Sequence, residues 1–216
     1  MIDGRARLFV LRLLCIWLLL SVIGVAAGKQ ILTPFIPLLE STTDTVMQDY
    51  SCRLSIVRES SDLRVMAALT ATRPLPIAAE VGIPAGTTLN TQIDVVHQLV
   101  PLTILLVLVA AWPATNVRIW LIRCGIGLLL CPVLLMATTP IQIAGLTEIA
   151  FQEYAVKLSA MRPKPFSLYF MLFLESGGRW LMALLAAALT VSCSGARFAR
   201  KPLAKRLNSV GAASPL

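Results

Sequence analysis

Four apolar blocks govern what this chain can become: residues 8–27, 95–112, 117–137 and a stretch within 166–194. A helix crossing a hydrocarbon core of about 30 Å, at about 1.5 Å per residue, needs roughly 20 apolar residues. All four blocks reach that length, the second only with its flanks. Pro113, Asn116 and Arg118 separate the second block from the third, which predicts a tight helical hairpin. The chain is 57% hydrophobic and 14% charged, whereas soluble domains run at roughly 45–50% and 25%. The same balance excludes disordered, collagen-like and small disulfide-stapled chains. The expected fold class is mainly α: a polytopic membrane protein with four transmembrane helices and a small extracytoplasmic α+β segment between helices 1 and 2.

Charge sets the orientation. With the N-terminus, the 113–123 turn and the C-terminal tail on one side, that side holds ten basic residues (Arg5, Arg7, Arg12, Arg118, Arg123, Arg197, Arg200, Lys201, Lys205 and Arg206) and one acid, Asp3. The other side holds nine basic and ten acidic residues. Short cytoplasmic segments carry the positive bias, so both termini are expected in the cytoplasm. The first block also has the form of a secretory signal, because arginines precede it and Val25-Ala26-Ala27 has the small-residue character of a cleavage site. Its length, and the absence of a polar break over 29–37, favour retention as an anchor.

The expected organisation follows the blocks. Residues 1–27 form a cytoplasmic N-terminus and helix 1, and residues 28–94 an extracytoplasmic segment. Residues 95–137 form a transmembrane hairpin, with Pro132 placed to kink its second helix. An extracytoplasmic amphipathic segment spans 138–165, an interfacial segment and helix 4 span 166–195, and a basic cytoplasmic tail spans 196–216. Within 28–94, Thr33-Pro34 opens a short amphipathic helix that Thr33 or Ser41 could cap. Cys52, Leu54 and Ile56 then alternate with polar residues, as do Leu63, Val65, Ala67 and Leu69 with their neighbours. Glu59-Ser60-Ser61-Asp62 lies between them as turn chemistry, so a β-hairpin is predicted, with a third strand over 87–93. A unit this small needs the helices or a partner to pack against. Within 138–165, Ala150, Phe151, Tyr154 and Leu158 share one helical face, and Glu153 and Lys157 form an i,i+4 pair; this helix is expected to lie on the outer leaflet or to roof the bundle.

The last block carries the most information. Counting roughly 20 residues back from Arg197 puts Glu175, Gly177, Gly178 and Arg179 at the outer interface. Glu175 and Arg179 are four apart and can pair on one helical face. The two glycines permit close approach of another helix. These four residues are the candidate partner-docking site.

Catalysis finds little to work with. Cys15, Cys124, Cys131 and Cys193 fall within apolar helices, and Cys52 alone lies outside them, with no CxxC or Cys/His metal spacing. His97 is the single histidine, so a cysteine transpeptidase would have to use Cys52 with His97. No phosphate-binding loop, dinucleotide glycine pattern, zinc-protease helix or nucleophile elbow is present. No cofactor and no metal are expected, and the basic tail suits anionic membrane lipid, not nucleic acid.

The tract Val95-Val96-His97-Gln98-Leu99-Val100-Pro101, leading into a helix that ends Ala111-Trp112-Pro113, has a family likeness, as does Phe173-Leu174-Glu175-Ser176-Gly177-Gly178-Arg179. With the four-helix layout and the small outer β segment, these tracts resemble the exosortase-associated integral membrane proteins, in particular those that accompany the exosortase H type. The likeness is specific over about 25 residues and extends to the rest only as layout. It implies a non-catalytic accessory or scaffold of a protein-sorting system in the bacterial inner membrane, with a separate exosortase or another polytopic membrane protein as partner. The alternatives are a small outer-leaflet transpeptidase-like enzyme using Cys52 and His97, or a transporter subunit.

Overall fold

A computed structural model describes the backbone of residues 4–59, 62–77 and 81–210, and the side chains of 6–59, 62–77 and 81–194. The turn residues Ser60 and Ser61 and the side chains of the basic tail lie outside the described residues. Helix α1 (Gly4–Leu32) bends at Ala27 and passes through one tight turn, Thr33–Phe35, into α2 (Ile36–Val46). Thr33 does not cap α2; its hydroxyl donates back to the Lys29 carbonyl at 2.7 Å. Strands β1 (Tyr50–Glu59) and β2 (Asp62–Ala71) form the expected hairpin in a register that places Cys52 against Leu69 and Glu59 against Asp62. A two-residue pair, β3 (Leu75–Pro76) and β4 (Gly82–Ile83), follows. Strand β5 (Thr88–Asp94) returns antiparallel to β2, giving the order β1-β2-β5.

The chain then enters the bundle. Helix α3 is Val95–Ala111, α4 is Val117–Lys157 and α5 is Phe166–Phe173; a single π-type turn over Leu174–Gly178 joins α5 to α6 (Arg179–Val210). Among the described residues, three helical stretches are long and apolar enough to cross a membrane: Ala6–Val46, Val117–Lys157 and Phe166–Ser194. Helix α3, the second expected crossing, is the shorter apolar helix at 17 residues. It runs directly out of β5 and stops before Trp112-Pro113, and it packs against α1, α4 and α6.

Helix α4 differs from the sequence-based division. Residues 138–157 are not a separate surface helix but the continuation of a 41-residue helix that passes Pro132 and Pro140 without a break. Each proline removes one backbone bond, but ending the helix in a dry bundle would strand several. Of the expected apolar face, Phe151 is buried, Tyr154 is exposed, and Glu148, expected on the polar side, is buried.

Burial explains why the sheet is not a separate unit. Cys52, Leu54, Val65, Ala67, Leu69 and Ile93 point to one face of the sheet and join a single core with Leu39 of α2 and Val95, Leu99 and Leu102 of α3. Sheet and bundle share that core. Helix α2 also closes the sheet edge. The Glu40 carboxylate accepts from the Leu54 backbone N–H at 2.7 Å, and Asp44 accepts from that of Cys52 at 2.6 Å. One helical turn thus matches the two-residue repeat of β1 and covers donors that an edge strand would otherwise leave open.

The far end of the bundle is tied by a buried arginine. Arg123 of α4 donates from Nε to Ser194 Oγ of α6 at 3.0 Å and from Nη1 to the Trp112 and Pro113 carbonyls at 3.3 and 3.2 Å. Trp120 Nε1 donates to the Ala110 carbonyl at 2.9 Å. Carbonyls at the end of α3, which have no helical donors, are thereby satisfied by side chains of α4.

These edge contacts set a stability prediction. Asp44→Ala leaves the buried Cys52 N–H without its acceptor and should cost about 1–3 kcal/mol, whereas Glu40→Gln keeps an acceptor and should cost less than Glu40→Ala. Denaturant titration in detergent, followed by maleimide capture of Cys52, reads both effects.

Candidate functional site

Where β5, α3, α4 and α6 meet, the bundle holds a chain of polar side chains. Thr139 Oγ1 donates to Gln98 Oε1 at 2.8 Å, Gln98 Nε2 donates to Gln142 Oε1 at 2.6 Å, and Gln142 Nε2 donates to Glu175 Oε1 at 2.7 Å. Arg179 Nη2 donates to the same carboxylate oxygen. Every donor along the chain points toward Glu175, so the negative charge polarises the whole series in the favourable direction. Thr139, Gln98 and Gln142 are buried, and Arg179 is 7% exposed. The Glu175 side chain, 39% exposed, is the member that reaches the surface.

Arg179 has a second task. An α-helical carbonyl normally accepts from the N–H four residues on, but Pro101 has none to offer His97. Arg179 Nη1 takes that carbonyl at 3.2 Å, and its Nε reaches the Leu174 carbonyl at 3.3 Å. One guanidinium therefore joins the first turn of α3, the π-type turn and the carboxylate of Glu175. The side chain of His97 is exposed, and its backbone oxygen is the atom this cluster uses.

The structure brings Glu175 and Arg179 together, as their spacing required. It assigns the two glycines a use inside the chain. Gly177 adopts φ +112°, a conformation that side chains disfavour, and this lets the helix widen by one residue. A β-carbon on Gly178 would come within 2.3–2.7 Å of three atoms at the edge of the Phe173 ring, so this glycine makes room for that side chain. Sequence reasoning missed Gln98, Thr139, Gln142 and the His97 carbonyl. Two glutamines within strongly apolar helices were the available signal, since polar side chains at such depth need partners.

Cys52 is not part of this cluster. It lies on the core face of β1 and is 5% exposed. Burial, reinforced by the carboxylates of Asp44 and Glu40, pushes its thiol up to about 12. A nucleophilic cysteine needs the opposite environment. No hydrogen bond joins Cys52 to His97 among the described residues.

No protein-family model, no curated protein and no solved structure matches this chain.

The contact between Gly178 and Phe173 gives a discriminating test. Gly178→Ala should destabilise by about 1–3 kcal/mol through overpacking against Phe173. Combining it with Phe173→Ala should recover part of that loss, so the double variant is less impaired than the two single effects added. Gly177→Ala should cost about 1–3 kcal/mol whatever residue 173 is, because its cost is backbone strain. Thermal unfolding in detergent measures all three.

Proposed function

We propose that this chain is a non-catalytic scaffold of a bacterial inner membrane, serving as an accessory to an exosortase-type protein-sorting system. In this reading α3 counts as a fourth crossing, both termini are cytoplasmic, and the sheet faces outward. The exosortase assignment rests on the likeness of residues 95–101, 111–113 and 173–179. The charge asymmetry across the apolar blocks supports the orientation.

The observation that carries the scaffold reading is how the polar groups are spent. Glu175, Arg179, Gln142, Gln98 and Thr139 bind one another and hold three helices together. Cys52 is held as a neutral thiol in the sheet core. Position argues against transport as well. From Val117 to Thr139 helix α4 rises about 33 Å, so the polar chain sits at the depth of one interface and not at the midplane where transporters bind. Helix α1, whose apolar surface is largely exposed and whose main contact is α3, offers ample area for a membrane partner.

Co-expression with a neighbouring exosortase, followed by affinity purification in mild detergent, tests the partner. The expected result is a stable complex that survives Cys52→Ala and His97→Ala, with sorting of a tagged substrate intact in both variants. Failure to retain the exosortase would remove the accessory assignment. Complete loss of sorting in an inserted, normally accumulating Cys52→Ala protein would instead point to the transpeptidase alternative.

A further inference from the structure

A cleft of about 1170 Å³ opens at the sheet end of the bundle, between the α2–β1 turn, the segment around β3, the outer end of α4 and the connection into α5. Its frame is fixed by one arginine. Arg162 donates from Nε and Nη2 to the two oxygens of the buried Glu148, at 2.7 and 3.2 Å, and from Nη1 to the Pro76 carbonyl at 2.6 Å. Its guanidinium also lies 5.1 Å from the Phe151 ring centre. With each of its three nitrogens already bonded to Glu148 or Pro76, Arg162 chiefly shapes the cleft.

Two other cations of the lining keep donors free. Arg73 is 68% exposed and pairs with Asp49 through Nη2 at 2.6 Å, which leaves Nε and Nη1. Lys164 is exposed and makes no ion pair among the described residues. Three cations face two carboxylates, so the lining carries one net positive charge. Tyr50 adds a neutral hydroxyl at the same wall, because burial above all pushes it up to about 12 against the opposing pull of Arg162.

Depth indicates what reaches this cleft. From Val117 to the α4 residues of the cleft wall, Ala144 to Phe151, α4 rises about 40–51 Å, so the wall begins at about the thickness of a bilayer including its headgroups. Counting from Ser194 back to Phe166 gives about the same rise. The lining includes Met161, 102% exposed, and the chain runs on from Pro165 of the lining into Phe166 and Tyr169 of α5, both exposed. Apolar and aromatic side chains at that level, next to a lysine, form the pattern of an interfacial anchor. A soluble anion would have no use for those side chains, whereas a lipid has acyl chains to lay against them.

We propose that this cleft binds the headgroup of an anionic phospholipid, with the phosphodiester held by Arg73 and Lys164 and the acyl chains leaving past Met161 and Phe166. One phosphodiester charge matches the net charge of the lining. The proposal requires only that the bundle sits in a bilayer with its sheet end at an interface, so it stands independently of any exosortase partner.

Native mass spectrometry of the purified full-length protein tests it, with phosphatidylglycerol, phosphatidylcholine and inorganic phosphate as probes. The wild type should retain one phosphatidylglycerol after stepwise delipidation and bind it at least about tenfold more tightly than Arg73→Gln/Lys164→Gln. Both substitutions are at exposed side chains, and equal unfolding temperatures will show that the fold is kept. Equal retention of phosphatidylglycerol by wild type and variant would overturn the proposal. Equal binding of phosphatidylcholine would overturn it too, and displacement of the lipid by millimolar inorganic phosphate would reassign the cleft to a soluble anion.

Discussion

A proline four residues after His97 leaves one helical carbonyl without a donor, and Arg179 supplies it from another helix. Much of the sheet end depends on that exchange. An unpaired carbonyl in a dry bundle is costly, and so is an unpaired guanidinium. Together, with Glu175 to balance the charge, the two become a fixed point between α3 and α6. Gln142 and Gln98 extend it to α4, and Thr139 ends the series. Apolar side chains pack as well against lipid as against each other, so directed hydrogen bonds of this kind give a membrane bundle one preferred register.

The local backbone follows from the same requirement. Arg179 reaches back to the Leu174 carbonyl within a π-type turn, and that turn needs the positive φ of Gly177. Gly178 gives Phe173 the room it needs beside the turn. At the opposite end Arg123 repeats the principle, donating to carbonyls that terminate α3 and to Ser194 on α6. Between these two arginines α6 presents Ala183, Ala187 and Thr190, all buried small residues that allow close packing. The sheet is held by carboxylates instead, with Glu40 and Asp44 standing in for a missing neighbouring strand.

Patterns contained within one element were legible in the sequence. Alternation over Cys52–Ile56 and the Leu63, Val65, Ala67, Leu69 series specified the hairpin, because a slip of one residue would turn its apolar face to water. The i,i+4 spacing of Glu175 and Arg179 specified their pairing. Contacts between distant elements were hidden. Nothing local links Gln98 to Gln142, 44 positions apart, or His97 to Arg179. The end of the apolar block at Ala137 and the amphipathic pattern after it suggested a separate outer segment, because the sequence does not show that α4 runs on unbroken to Lys157. The Gly177-Gly178 pair was legible as a place of close approach, but the sequence does not show that Phe173 is the side chain packed against Gly178. The cleft at the sheet end was invisible for the same reason, its walls coming from four separated segments.

A buried hydrogen-bonded series, and not apolar packing alone, fixes the arrangement of α3, α4 and α6. A double-mutant cycle on Gln98→Leu and Gln142→Leu, read as unfolding free energy in mixed micelles, tests it most directly. Each single substitution strands the other amide in a dry site and should cost about 1–3 kcal/mol. The double substitution removes both amides, so its cost should fall short of the summed single effects by about 1 kcal/mol or more. Additivity within about 0.3 kcal/mol would contradict the account, because it would mean that the two glutamines do not act as one unit.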